Sequence, residues 1–142
     1  MQKRKKALKL LAIKEKCRTF AKIKKKRKSF TIMIQTRLKG MGVALVTPFK
    51  EDGSVDYEAL LRLVDYQLQN GTDFLCVLGT TAETPTLSKE EKEKVKRTII
   101  DRVNGRIPIL LGVGSNSTQA VVDSVKNDDM TGVDALLVVV PY

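Results

Sequence analysis

The chain has 142 residues, a formal charge of +10 at pH 7, two cysteines and no histidine. The lack of histidine and of neighbouring cysteines removes the usual zinc ligands, and no apolar run reaches the ~20 residues that a membrane span needs. Residues 33–142 can form one small domain, but they are far fewer than the ~250 residues typical of a closed barrel of strand–helix units.

The positive charge is concentrated at the N-terminus. Residues 1–32 hold 14 lysines and arginines against the single acid Glu15, a charge of +13, whereas residues 33–142 carry −3. Three hypotheses explain this basic, lysine-rich extension: an arm that binds nucleic acid, an organelle-targeting peptide, or a segment that the working protein lacks because translation starts at Met33. We favour the last, because the composition changes within a few residues of Met33, and we therefore expect no nucleic-acid partner. The predicted domains are this extension, disordered or helical, and a truncated α/β domain over 33–142.

The cysteines indicate a reducing compartment. Cys17 lies in the basic extension and Cys76 lies inside an apolar run, so no disulfide between them is expected. The sequence also lacks a sustained apolar core followed by a small-residue cleavage site, so it does not resemble a secretory signal. We expect a cytoplasmic protein without a membrane partner.

From Gly40 onward the chain repeats an apolar run, a polar turn and a helical pattern. Met41–Val46 is the first predicted strand. Asp56 is a candidate N-cap for a helix that ends at Asn70-Gly71, and Phe74–Leu78 is the second strand. The second helix is expected from the capping box at Ser88 to about Asn104.

The same alternation continues to the C-terminus. Ile107–Gly112 is the third predicted strand, Gly114–Thr118 a polar turn, Gln119 to about Lys126 the third helix, and Val133–Val140 the fourth strand. Four strands alternating with three helices predict parallel strands joined by right-handed crossovers. Either the N-terminal half of a (β/α)8 TIM barrel or an open doubly wound sheet would satisfy this α/β pattern.

The turn after the second strand is the most informative local feature. Its sequence is Gly79-Thr80-Thr81-Ala82-Glu83-Thr84. In parallel sheets ligands gather at the carboxyl ends of strands, and two adjacent threonines offer hydroxyl and N–H groups to a small anion. An ordinary strand-to-helix turn, whose hydroxyls satisfy backbone groups, is the alternative. Thr47 and Pro48, at the end of the first strand, could shape the same pocket or simply stop the strand.

The ordered motifs resemble one family, the dihydrodipicolinate synthase and N-acetylneuraminate lyase family of Schiff-base-forming (class I) aldolases. The resemblance covers about Gly40 to Tyr142 and rests on four segments: Gly42–Phe49, Gly79–Thr84, Arg106–Gly114 and Val140–Tyr142. It implies a TIM barrel, commonly homotetrameric, that needs no cofactor. The paired threonines are similar to the synthase branch, a lyase that condenses pyruvate with aspartate semialdehyde in lysine (diaminopimelate) biosynthesis. N-acetylneuraminate lyase or another 2-keto-acid aldolase is the alternative enzyme, and nucleic-acid binding through the basic extension is the alternative of another class.

The resemblance also implies residue roles. Thr80 matches the threonine of the catalytic proton relay, and Thr81 matches the residue that binds the pyruvate carboxylate. Asn116 and Tyr142 match effector-site residues of lysine-inhibited members. In some of those members histidines occupy the positions of Lys89 and Lys92, and a glutamate occupies that of Ala120, so we doubt that lysine inhibits this chain.

The imine-forming lysine of the family matches no position before Tyr142. An imine-forming amine must be partly desolvated, and the lysines of this chain are expected on helices, turns or the extension. We therefore expect a fragment, from a truncated reading frame, that has no aldolase activity alone.

Overall fold

The computed structural model describes residues 37–139 of the chain. The basic extension 1–32 and Tyr142 lie outside these residues, so the structure does not bear on either prediction. Four strands are present in the described part, β1 (Gly42–Ala44), β2 (Phe74–Val77), β3 (Ile109–Gly114) and β4 (Ala135–Val139). Three α-helices alternate with them, α1 (Tyr57–Gln69), α2 (Lys89–Val103) and α3 (Thr118–Asn127).

The strands form one parallel sheet in the order β1-β2-β3-β4. Each strand therefore pairs with the next strand in sequence, and the order never reverses. A doubly wound sheet reverses its strand order at a switch point, whereas a barrel adds each strand on the same side of the last. The described region thus has the strand order of the first part of a TIM barrel.

The helices begin where their capping residues predict. The Asp56 side chain accepts a hydrogen bond from the Ala59 N–H at 2.9 Å, and Ser88 and Glu91 form a reciprocal capping box at the start of α2. Each cap satisfies backbone donors that have no partner within the helix. The predicted starts of α1 and α2 are therefore confirmed. Ser117 is the N-cap of α3, which begins at Thr118, one residue before the predicted Gln119.

Several predicted strand boundaries were wrong by one or two residues. The second strand ends at Val77 rather than Leu78, and the fourth begins at Ala135 rather than Val133. The third strand is Ile109–Gly114 rather than Ile107–Gly112, because Pro108 has no N–H to give to a ladder and Gly114 still pairs with Val139. The first strand was expected from Met41 but begins at Gly42. The Met41 N–H instead donates to the Asp73 carboxylate at 2.7 Å.

The core lies between the sheet and the helices. Leu60 and Val64 of α1 are fully buried, as are Leu75 and Val77 of β2. Burial of such side chains contributes about 1.5–3 kcal/mol each. At the far edge of the described sheet the pattern changes, since Leu137, Val138 and Val139 of β4 remain more than 40% exposed.

Candidate active-site turn

Thr80 and Thr81 lie directly beyond the carboxyl end of β2. After Val77 the chain passes through Leu78 and Gly79 into two short 3-10 turns, Thr80–Ala82 and Thr84–Thr86. The Thr80 and Thr81 side chains are both exposed, while Ala82 between them and the second turn is buried. Both threonines are therefore accessible at the carboxyl edge of the sheet, where ligands of α/β proteins bind.

The backbone on either side of the pair is unusual. Leu78 has φ 53° and Glu83 has φ 54°, both in the left-handed region that side chains other than glycine rarely occupy. Each such residue costs on the order of 1–3 kcal/mol and persists only where the surroundings enforce it. The Thr80-Thr81 pair is thus presented by a turn that is strained at both ends.

Two threonine hydroxyls hold this turn through its carbonyl groups. The Thr47 hydroxyl is buried and donates to the Ala82 carbonyl at 2.8 Å. The Thr84 hydroxyl donates to the Gly79 carbonyl at 2.7 Å and lies 3.2 Å from the Leu78 carbonyl. Thr47 therefore bonds the turn directly. It does not end the first strand, because β1 already ends at Ala44 rather than at the predicted Val46.

The glycine at position 112 provides the space that the turn needs. A Cβ added to Gly112 of β3 would lie 2.2 Å from the Leu78 carbonyl oxygen and 2.9 Å from the Gly79 Cα. These distances are far below van der Waals contact, so only glycine lets the Leu78–Gly79 peptide lie against β3. Neither Gly112 nor Thr84 was predicted as a site residue, although a glycine inside a strand is a recognised signal of close backbone approach.

A cavity of about 330 Å³ adjoins the turn and brings two of the predicted site residues together. Thr80 and Asn116 both line it, with Thr84, Lys92 and Ser115. The lining thus offers hydroxyl, amide and ammonium groups, which suit a small polar ligand. Thr81 is not one of the described residues that line this cavity, so the structure brings together Thr80 and Asn116 but not Thr81.

A second cavity of about 500 Å³ lies between α2 and α3. Lys89, Lys92 and Ala120 line it, as do the acids Glu93 and Asp123. Lysine-inhibited members of the resembling family have a glutamate at the position of Ala120, so we predicted that a cationic effector would lose its acidic partner here. The structure puts the Asp123 carboxylate one helical turn further along α3, where its oxygen accepts a hydrogen bond from the Gln119 amide at 2.8 Å.

No lysine of residues 37–139 lies on a strand. The most buried one is Lys96 on α2, with 3% of its surface exposed. Its ammonium group donates to the Asp129 carbonyl at 2.7 Å and pairs with the Glu93 carboxylate at 2.5 Å. Because its ammonium group is already bonded to these two partners, Lys96 is poorly placed to act as a nucleophilic amine.

The remaining chemistry of the described region is limited. Cys76 is a free, buried thiol on β2, and burial raises its pKa, which keeps it protonated. Across residues 37–139 no three His, Cys, Asp or Glu side chains gather as metal ligands. In the same region no helix combines the length and the apolar character that crossing a bilayer requires.

Sequence comparison identifies the family to which this fold and turn belong. The sequence profile described as the Dihydrodipicolinate synthetase family matches residues 37–142. The chain belongs to this family. The resemblance inferred from the four motifs is therefore confirmed, and the match begins close to the change in composition at Met33.

Individual relatives agree with the family assignment. The chain is similar to a 4-hydroxy-tetrahydrodipicolinate synthase from Phocaeicola vulgatus, with 86% identity over 110 residues, and to one from Parabacteroides distasonis, with 66% identity. In both cases the match covers 78% of this chain. It covers 37% of each relative, so the chain spans little more than a third of their length.

Solved structures of similar proteins share the fold. The dihydrodipicolinate synthase of Thermotoga maritima has a TM-score of 0.70 and 45% identity, over 75% of this chain and 36% of its own. The chloride-inhibited enzyme of Acinetobacter baumannii, solved in complex with pyruvate, also has a TM-score of 0.70, with 43% identity over 74% of this chain and 36% of its own. The predicted fold class, the first part of a TIM barrel, is confirmed.

Proposed function

We propose that the chain supplies the carboxylate-binding turn of a lyase that condenses pyruvate with aspartate semialdehyde, the 4-hydroxy-tetrahydrodipicolinate synthase reaction. The observation that carries the proposal is the pair of exposed hydroxyls, Thr80 and Thr81, at the carboxyl edge of a parallel sheet. The similar proteins from Phocaeicola vulgatus and Parabacteroides distasonis are 4-hydroxy-tetrahydrodipicolinate synthases, which supports this reaction. The pyruvate complex of the Acinetobacter baumannii protein supports the keto acid as ligand. Because the chain spans 37% of those relatives, the activity would belong to a larger enzyme. The family resemblance implies that this enzyme is a homotetramer.

The two threonines would have different tasks. Thr81 would bind the pyruvate carboxylate, since its hydroxyl can donate a hydrogen bond to an anionic oxygen. Thr80 would pass a proton, because a hydroxyl donates and accepts at the same time. The fixed turn would hold both hydroxyls before the ligand arrives, which lowers the cost of ordering them on binding.

We further propose that the 142-residue chain does not form the pyruvate imine alone. The described lysines support this, because none lies on a strand and the buried Lys96 already has two partners. Borohydride treatment of the purified chain with pyruvate, followed by intact mass measurement, tests the proposal. We expect no covalent adduct. A stoichiometric adduct would show that an amine of this chain acts as the nucleophile, and would contradict the proposal.

Binding of pyruvate can be tested separately from catalysis. We expect a pyruvate titration followed by NMR to move the amide resonances of Thr80 and Thr81, and the Thr81→Val variant to lose this response. Thr86→Val is the matched control, because Thr86 is also exposed in the neighbouring 3-10 turn and its hydroxyl donates to the Glu83 carbonyl at 2.8 Å. Equal losses in both variants, or shifts confined to other parts of the chain, would contradict the proposed role of Thr81.

A further inference from the structure

The hydrogen bonds that hold the candidate turn come from outside the Thr80-Thr81 pair. Thr84 donates to the carbonyl groups before the pair, and Thr47 donates to the Ala82 carbonyl after it. The hydroxyls assigned to the ligand are therefore not used by these bonds. This separates the residues that would meet a ligand from the residues that fix the shape of the turn.

The two supporting threonines act from different parts of the chain. Thr47 lies beyond β1, 35 residues before Ala82, and only 4% of its surface is exposed. Thr84 is half-buried and is the last residue of the turn. Its hydroxyl reaches back five and six residues to Gly79 and Leu78. The turn is thus held at its end by a distant element and at its start by a local one.

The left-handed residues explain why such support is needed. Leu78 and Glu83 occupy a region of φ that costs on the order of 1–3 kcal/mol each, so an unsupported turn would relax. Gly112 lets the Leu78 peptide lie against β3, where Thr84 can bond its carbonyl. A site must be held to within about 0.5 Å to act efficiently, and hydrogen bonds from neighbouring side chains are the usual means.

We propose that Thr47 and Thr84 are positioning residues, which fix the Thr80-Thr81 turn in its ligand-binding conformation through the Ala82, Gly79 and Leu78 carbonyls. The identity of the ligand, a small 2-keto acid, rests on the proposed function above. The proposal that Thr47 and Thr84 fix the shape of the turn is independent of which ligand binds there. The shape of the turn should therefore depend on the hydroxyl groups of Thr47 and Thr84 and not on the bulk of their side chains. Serine at either position should keep the turn ordered, whereas valine should not.

A purely structural role makes a different prediction. If the hydroxyls only satisfied buried carbonyls, their loss would lower the stability of the whole domain and leave the turn as ordered as the rest. If they position the turn, its amides should become accessible while β2 and β3 keep their protection. The comparison of local with global hydrogen exchange separates the two roles.

The experiment uses the 142-residue chain with Thr47→Val, Thr47→Ser, Thr84→Val and Thr84→Ser, and measures amide hydrogen exchange and pyruvate binding by NMR. Thr72→Val is the matched control. Thr72 is as buried as Thr47, and its hydroxyl also makes a hydrogen bond, to the Gln67 side chain at 2.8 Å. It precedes β2, however, and so lies at the opposite end of the strand from the turn.

The valine variants should lose exchange protection at Ala82 and Glu83 by about 3- to 10-fold more than amides of β2 and β3 do, the usual value of one hydrogen bond. They should bind pyruvate about 3- to 10-fold more weakly than Thr72→Val. The serine variants should restore both. Thr84 is half-buried, so Thr84→Val keeps the test available should Thr47→Val fail to fold.

The outcomes separate this inference from the proposed function. If pyruvate does not shift the NMR resonances of the parent chain, the proposed ligand is wrong for this chain. Amide hydrogen exchange still tests whether Thr47 and Thr84 position the turn. If the valine variants lose protection uniformly, as Thr72→Val would, or if serine does not restore the turn, Thr47 and Thr84 do not position it.

Discussion

The contact between Gly112 and the Leu78–Gly79 peptide gives a prediction that can be worked out from the structure. In Gly112→Ala the new Cβ would lie 2.2 Å from the Leu78 oxygen, 2.7 Å from the Leu78 carbonyl carbon and 2.9 Å from the Gly79 Cα. All three are backbone atoms, so no flexible side chain can move aside. The strand or the turn must shift, and overpacking of this kind costs about 1–3 kcal/mol.

Gly114→Ala is the matched control, since it makes the same chemical change two residues further along β3. There the nearest heavy atom to the added Cβ is the Val139 Cβ at 3.8 Å, an ordinary contact. Replacement of a glycine at an unstrained position stabilises a protein by about 0.4–1 kcal/mol, because alanine restricts the unfolded chain. The two variants should therefore change the free energy of unfolding in opposite directions.

Urea unfolding followed by circular dichroism measures this difference. A loss of about 2 kcal/mol at a slope of about 1.5 kcal/mol per M lowers the midpoint for Gly112→Ala by about 1.3 M. The amide resonances of Leu78 and Gly79 should move in Gly112→Ala and stay in place in Gly114→Ala. Equal midpoints for the two variants, with the Leu78 and Gly79 resonances unmoved, would refute the close approach on which this reasoning depends.

Two further predictions concern charged residues that join neighbouring elements. Hydrogen bonds from Arg102, with its positive charge, hold the pKa of Asp65 below its usual value, so this pair stabilises the fold above about pH 4 and the stabilisation is lost as the pH falls through the lowered pKa. Asp65→Asn should therefore lower the urea midpoint more at pH 7 than at pH 2, and an equal deficit at both values would contradict the ion pair. Lys96→Met keeps the length of the buried side chain but removes both the donor to the Asp129 carbonyl and the ion pair with Glu93, which together should cost about 1–3 kcal/mol of unfolding free energy. In thermal or urea unfolding, a Lys96→Met variant as stable as the parent would show that these two contacts contribute no net stability.

The local structure follows closely from local sequence. The side chains of Asp56 and Ser88 bond backbone groups three residues away, so their neighbours alone predict where α1 and α2 begin. The alternation of apolar runs with helical patterns likewise predicted four parallel strands and three helices. The Thr80-Thr81 pair was recognisable as a candidate site because it directly follows an apolar strand.

Only the tertiary structure decided how that pair is held. The bond from Thr47 to Ala82 joins residues 35 positions apart, and the space left by Gly112 matters only because β3 lies beside the Leu78 peptide. The two-residue error in β3 has the same origin, since strand ends are set by pairing with β2 and β4 as well as by local propensity. Sequence fixes which residues prefer a strand, a cap or a turn, but contacts between distant segments exist only after the sheet has formed.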